Sequence, residues 1–227
     1  MTELAALFSH QRPAPQGLLS RWKLYAGRYG ALHAAARFVA TKVPAIWPMV
    51  GPIVSAGYRR RWESGTGPRL LNLGGGGNLI DGALTVDIDP RADSYVDLTK
   101  PLPFAANSID LIFFEEVLEH VEKPIGLALL RECRRVLKPG GTIRIATPDL
   151  DWLATEAPCD LVNDTFYGHD HRYIYSRAEL ANALELAGFS NSKWSTYRDP
   201  SARLGFLDSH ADRFAHDPRL SQYVEAA

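Results

Sequence analysis

Beyond residue 68 the chain switches back and forth between two hydrophobic periods. Short apolar runs near residues 69–73, 84–88, 94–97, 109–114 and 142–147 are bounded by Gly, Pro, Asp and Asn, the pattern of strands buried on both faces. Between the fourth and fifth runs a helix is predicted from Pro124, which suits a first helical turn, to about Leu137, with Pro139 and Gly140 ending it. Ser176 reads as the N-cap of another helix, Arg177 to Ala187, stopped by Gly188. Residues 192–197 read as a strand. Near the end Leu220, Gln222 and Val224 alternate with Ser221, Tyr223 and Glu225, which predicts a last strand in the edge region of the sheet. Strands alternating with helices predict an α/β domain on a mostly parallel sheet.

The first third reads differently. Residues 1–16, with Pro13 and Pro15, read as a loose leader. Leu18, Trp22, Tyr25, Tyr29, Leu32, Ala36 and Val39 recur at three- and four-residue spacing, an amphipathic stripe over helices near 17–29 and 31–42, broken at Gly30. Arg21, Arg28 and Arg37 lie off that stripe. Val43 to Gly57 is apolar, but it carries Pro44, Pro48 and Pro52 and is shorter than a bilayer span. Gly65-Thr66-Gly67-Pro68 is a turn-rich linker. The chain therefore divides into a helical extension, residues 1–66, and a catalytic domain, residues 67–227.

Chemistry enters where the first strand run meets four consecutive glycines, Gly74 to Gly77, and the second ends in Asp87. Strand, glycine turn, strand, acid builds a nucleotide-type site at the carboxyl ends of an open α/β sheet. Glycines let the backbone approach a ligand, and a carboxylate can accept hydrogen bonds from both hydroxyls of a ribose. A dinucleotide fingerprint does not fit: Leu79 stands where the third glycine belongs, and Asp87 follows Gly74 by only thirteen residues. A ligand with a ribose and no pyrophosphate suits this loop, and S-adenosylmethionine (SAM) is such a ligand.

Further motifs follow in order: Asp97-Leu98-Thr99-Lys100-Pro101-Leu102-Pro103-Phe104, Ile109-Asp110, Glu116-Val117-Leu118-Glu119-His120 and Leu137-Lys138-Pro139-Gly140-Gly141. With them the chain resembles the class I SAM-dependent methyltransferases over roughly Arg69 to Phe189, and within them the bacterial methyltransferases of cell-surface polysaccharide gene clusters. The resemblance implies a Rossmann-like α/β fold with a seven-stranded sheet whose last strand is antiparallel. It implies SAM as cofactor, with Gly74 and Gly76 beside the methionine part, Asp87 on the ribose, Ile88 against adenine, Asp97 near the adenine amino group, and Glu115 and Glu116 lining the methyl-transfer pocket. Asn72 stands where the family commonly has an acid, and Gly75 where it commonly has Cys. Asn72 is carried as an uncharged cofactor contact.

Charge changes the picture of the extension. The 227 residues hold 25 Lys and Arg against 26 Asp and Glu, but residues 1–62 hold nine of the former and only Glu3 of the latter. The extension is thus +8 and the remainder −9. The near-neutral whole carries no nucleic-acid signature. The basic, aromatic-bearing segment either caps the catalytic domain or contacts an anionic membrane, and both can hold. Cys133 and Cys159 show no metal or disulfide spacing, and no secretory signal stands at the amino terminus. These point to a reducing cytoplasm, with the inner membrane face as the alternative location.

Methyl transfer to oxygen needs a base. Candidates are Glu116 and His120 after the fourth strand, and His169 and His171 in the loop Phe166 to Tyr173, where Asp170 flanks both histidines. His171 is the favoured base, against a lid role for the loop and a metal reading of His-x-His; no metal is expected. His120 suits a cofactor-pocket role better than that of base, and Glu119 a local cap or pair. The expected acceptor is a sugar in a surface glycan or its lipid-linked precursor. The alternatives are a natural-product or lipid small molecule, or a non-catalytic partner subunit. Oligomeric state is not legible.

Overall fold

A computed structural model describes residues 3–11 and 18–227, so Pro13 and Pro15 of the expected leader lie outside the described residues. Seven strands run in the order Ser94–Tyr95, Leu84–Asp87, Leu70–Leu73, Ile109–Glu115, Leu137–Pro148, Ser221–Ala226 and Lys193–Ser195, with Ser221–Ala226 antiparallel. The chain divides into two compact units, residues 1–98 and 99–227.

The first unit holds β1 (Leu70–Leu73), β2 (Leu84–Asp87) and β3 (Ser94–Tyr95), paired in parallel. Leu70, Leu71, Leu73, Leu84 and Val86 are fully buried, which is why these strands read as continuous apolar runs. Helices α1 (Leu18–Tyr29), α2 (Ala31–Ala40) and α3 (Trp47–Glu63) precede them. The apolar, proline-bearing stretch is helical: Pro48 sits in the first turn of α3, where its missing N–H is not needed, and Pro52 is carried inside. A Cβ on Gly51 would stand 3.0 Å from the Trp47 ring and from Tyr95 Cβ, so glycine lets α3 seat on β3. Ser55 Oγ there accepts from the Tyr95 amide (3.1 Å), closing part of an open sheet edge.

The expected loose leader is ordered over residues 3–11. Phe8 is buried, Ser9–His10 pairs antiparallel with Ile80–Asp81, and Gly82, at φ +81°, makes room for the Leu7 carbonyl. The single stripe expected on α1 and α2 is also split. Tyr29 is buried and Trp22, Tyr25 and Ala36 are half-buried, whereas Leu18, Leu32 and Val39 are exposed. The reason is a polar anchor. Asp93, fully buried, accepts from Arg28 Nη2 (2.9 Å), Tyr29 Oη (2.7 Å) and the Thr85 amide (2.9 Å).

The second unit holds β4 (Ile109–Glu115), β5 (Leu137–Pro148), β6 (Lys193–Ser195) and β7 (Ser221–Ala226), with α4 (Lys123–Val136) and α5 (Arg177–Leu186). Helix α4 ends at Val136 and β5 starts at once, so Pro139-Gly140-Gly141 lies in the strand rather than in a helix stop. A Cβ on Gly141 would meet the Lys138 and Asp110 carbonyls at 2.9 and 3.0 Å. Ser176 and Glu179 form the capping box of α5. Cys133 is a buried core residue.

The last strand is not at the edge. β7 lies between β5 and β6, and all six of its residues are buried. Its polar side chains bond to protein on both faces: Glu225 accepts from the Arg203 and Leu204 amides, and Gln222 Nε2 donates to the Tyr175 carbonyl. Beside it Arg144, fully buried, forks onto Asp208 at 2.6 and 2.5 Å. Among the described residues no helix is long and apolar enough to cross a membrane.

Replacing Asp93 with Ala leaves a guanidinium, a phenol and an amide without their shared acceptor. We expect a loss of ~3–5 kcal/mol in unfolding free energy by urea titration, with Asp93→Asn losing less. A loss below ~1 kcal/mol would show that the helices are held by other contacts.

Candidate active site

In the first unit the glycine turn is held from beneath. Gly74, at φ +66°, donates to the Val86 carbonyl (2.8 Å) and so continues the β1–β2 ladder. Gly76, at φ +51°, donates to Asp87 Oδ2 (2.8 Å), while Asp87 Oδ1 accepts from the Asp89 amide (2.9 Å). Burial pushes the Asp87 carboxyl up, against the two backbone donors. Each Asp87 oxygen keeps acceptor capacity beyond its one bond. Ile88 next to it is 60% exposed, an apolar side chain with no protein cover. Val96 N donates to the Asp87 carbonyl, which carries half-buried Asp97 to the same end of the sheet.

Asn72 has a structural part as well. It is buried, and its amide nitrogen donates to the Asn78 carbonyl (3.0 Å) and Thr85 Oγ1 (3.1 Å), so it pins the far end of the glycine turn. A Cβ on Gly75 would lie 2.3 Å from that nitrogen and 2.8 Å from Thr85 Cγ2. The two departures from the family pattern thus accommodate each other. Sequence reasoning passed over Asp89 and Arg91. Arg91 Nη2 reaches Asp89 Oδ2 at 2.6 Å, and despite partial burial Arg91 holds that carboxyl below its usual range. The Asp-x-Asp spacing of Asp87 and Asp89 was the available signal.

In the second unit β4 ends on three carboxylates with three environments. Glu115 is buried and accepts from the Ser209 amide (2.7 Å), Ser209 Oγ (2.8 Å) and Arg213 Nη2 (2.8 Å), with His210 Nδ1 at 3.3 Å. Against the cost of burial, these donors push it down to about 2. Its carboxylate is an anchor for residues 209–213. Glu116, at φ +54°, accepts from Ser221 Oγ (2.8 Å), and burial with the Glu119 charge pushes it up to about 8. Glu119 is fully buried. Its Oε2 accepts from Thr147 Oγ1 (2.9 Å), its carbonyl takes the Arg172 and Tyr173 amides, and burial pushes its carboxyl up to about 7.

Glu119 is therefore more than a local cap. Its Oε1 makes no hydrogen bond among the described residues, and it lies 3.9 Å from both His120 Nε2 and His171 Nε2. The two rings meet edge to face with centroids 4.8 Å apart. His171 is nearly buried, and burial with His120 pushes it down to about 4; the His120 side chain is 41% exposed. The three groups offer ligand atoms within 4.8 Å of one another, a carboxylate and two imidazoles that could hold a divalent cation, where the sequence reading expected no metal. His169 lies beside the cluster, its ring centroid 5.7 Å from that of His171, and its Nε2 pairs with Asp164 Oδ2 (3.1 Å), not with Asp170, on a π-helical turn, Asp164–Gly168. Tyr173 is held by Lys123 and Glu179.

Residues 58–193 match a family model described as a methyltransferase domain. The chain belongs to that methyltransferase family. Its cofactor is SAM, and the first unit's loop has the acceptors and the backbone room that SAM's ribose and adenine need. A ubiquinone biosynthesis O-methyltransferase of Xanthomonas campestris pv. campestris is 32% identical over 36% of this chain and 43% of that protein. A probable S-adenosylmethionine-dependent methyltransferase of Mycolicibacterium smegmatis is 33% identical over 44% of this chain and 36% of that protein. The chain thus spans less than half the length of these relatives. Among solved structures, a SAM-dependent methyltransferase from Archaeoglobus fulgidus superposes with a TM-score of 0.51 at 13% identity, covering 90% of this chain and 98% of that one. It confirms the fold.

Two outcomes are expected of this methyltransferase. Asp87→Ala removes the ribose acceptor and should weaken SAM binding about 10- to 150-fold by calorimetry, from ~1.5–3 kcal/mol per charged hydrogen bond; unchanged affinity would displace the ribose site. Glu116 holds its proton more tightly folded than unfolded, so its contribution is intact below the ordinary carboxyl value of 4.5 and is lost as pH rises through about 8. Glu116→Gln keeps an acceptor for Ser221 without the charge. Relative to wild type it should gain ~1–3 kcal/mol in unfolding free energy, developing as pH rises from about 5 to about 8.

Proposed function

We infer that the chain transfers a methyl group from SAM to an oxygen of a small acceptor, a sugar hydroxyl on a surface glycan or its lipid-linked precursor. The observation that carries oxygen as the target is the Glu119–His120–His171 cluster, because a hydroxyl must lose its proton as it attacks. SAM when bound supplies an electrophilic methyl group. The protein's part is to orient the acceptor, exclude water and take that proton. His171 is neutral near pH 7, since burial holds its pKa at about 4, so one of its ring nitrogens has a free lone pair. The imidazolium formed there gains the Glu119 carboxylate at 3.9 Å. Exposed His120 meets the acceptor from the solvent side. A second reading, a phenolic or other hydroxyl of a lipid-like small molecule, draws support from the relative named for ubiquinone biosynthesis.

Labelled-methyl transfer from SAM to lipid-linked oligosaccharides and to a quinone-precursor phenol distinguishes the two readings. Transfer to amines alone would overturn O-methylation, and a chain that binds no SAM would be the non-catalytic subunit. Glu119 must be ionised to stabilise the imidazolium, so kcat should fall on the acid side of about pH 7. His171→Asn should lower kcat ~10²–10⁴-fold with SAM affinity unchanged. An acid limb centred near 4 would leave His171 acting without Glu119, and a fully active variant would remove it from the reaction.

A further inference from the structure

Several polar groups of α1–α3 face the protein: Arg28 and Tyr29 bond to Asp93, Arg37 Nη2 to the Arg91 carbonyl (2.5 Å), and Ser55 to Ser94 and Tyr95. Several of their large aliphatic groups face out. Leu19 and Leu24 of α1, Leu32 and Val39 of α2, and Met49 and Ile53 of α3 are 46–76% exposed. Leu32 and Val39 fall on one stripe of α2, and Met49, Ile53 and Arg60 on one stripe of α3. Lys23, Lys42 and Arg60 are exposed among them, and no acid occurs between Glu3 and Glu63. An apolar face whose charged neighbours are mostly cations, with Asp81 paired to Arg28 and Asp89 to Arg91 at its edge, fits an anionic bilayer surface.

A shallow, open pocket adjoins this surface, lined by Arg21, Arg37 and Arg91 with Tyr25, Phe38 and Thr41. Thr41 leads directly into exposed Lys42 and Val43. Arg37 is 3% exposed, its guanidinium 4.3 and 4.8 Å from the Tyr29 and Tyr25 ring centroids, and its Nη1 is buried with no hydrogen-bond partner among the described residues. Arg91 is shared with Asp89. A buried guanidinium N–H without an acceptor is costly, and a phosphate oxygen is the acceptor that best matches a guanidinium fork.

We propose that α1–α3 form a docking surface for an anionic phospholipid bilayer, with one lipid phosphate seated on Arg37 between Arg21 and Arg91. This reading is independent of the acceptor's identity. Hydrophobic side chains enter the interfacial region, and the cations lie against the headgroups.

The test is co-sedimentation of the full chain with phosphatidylcholine vesicles, with and without phosphatidylglycerol. Binding should require phosphatidylglycerol and weaken as salt rises above about 0.1 M. Arg21→Gln, at the exposed rim of the pocket, should weaken it about five-fold, the effect of one surface cation. Leu32→Ser with Ile53→Ser should weaken it at least as much, and inorganic phosphate should compete beyond an equal ionic strength of chloride. Unchanged thermal unfolding of each variant excludes misfolding as the cause. Absence of binding to either vesicle overturns the proposal, as does binding that neither variant changes. Phosphate binding without vesicle binding would assign the pocket to a soluble phosphate. Self-association lost in the Leu32/Ile53 variant would assign the face to a second copy of the chain.

Discussion

The buried carboxylate of Asp93 is the constraint on which the first unit depends. It takes a strand amide from β2 and two side-chain donors from α1, so it ties helix and sheet through a single group. A buried carboxylate is tolerated only when its lone pairs are filled. Filling them obliges α1 to turn Arg28 and Tyr29 inward. Tyr29 in turn packs against His33 and Tyr58, which sets the positions of α2 and α3. Once the polar groups have been used inside, the aliphatic residues of the three helices are left at the surface.

The same economy governs the second unit, where one strand end carries three acids. Glu115, saturated with donors, is a permanent anion and a structural anchor. Glu116 and Glu119 lack such donor sets, and their pKa values rise toward neutrality. A group poised near neutral pH can exchange protons during turnover, whereas one held near 2 cannot. Proximity in sequence says nothing of this difference, which comes from the 209–213 segment folding onto Glu115 alone.

The glycine turn shows how a departure from a family pattern is absorbed. With an amide at Asn72, both hydrogen-bond partners of its nitrogen are protein atoms, and the side chain serves the loop. The neighbouring glycine is then required because no Cβ fits against that amide. Asp87, Ile88, Asp97 and the glycine backbone stand together at carboxyl ends of parallel strands.

The sequence alone determined the fold class, the strand runs of the sheet, the helix from Pro124, the capped helix after Ser176, and the glycine turn with Asp87. Each of these rests on local period, backbone conformation or a short motif, which neighbouring residues carry among themselves. Tertiary structure decided what depends on distant partners. It placed the last strand inside the sheet, because its polar side chains find protein donors and acceptors. It brought Glu119 and His120 to His171 across some fifty residues of chain, and gave His169 to Asp164. It turned the aromatic residues of the extension inward and Leu32 and Val39 outward, since Asp93 and Arg91, far along the chain, claim the polar groups of those helices. A helical period marks that a helix has two faces, and only the partners that satisfy its buried charges decide which face is covered.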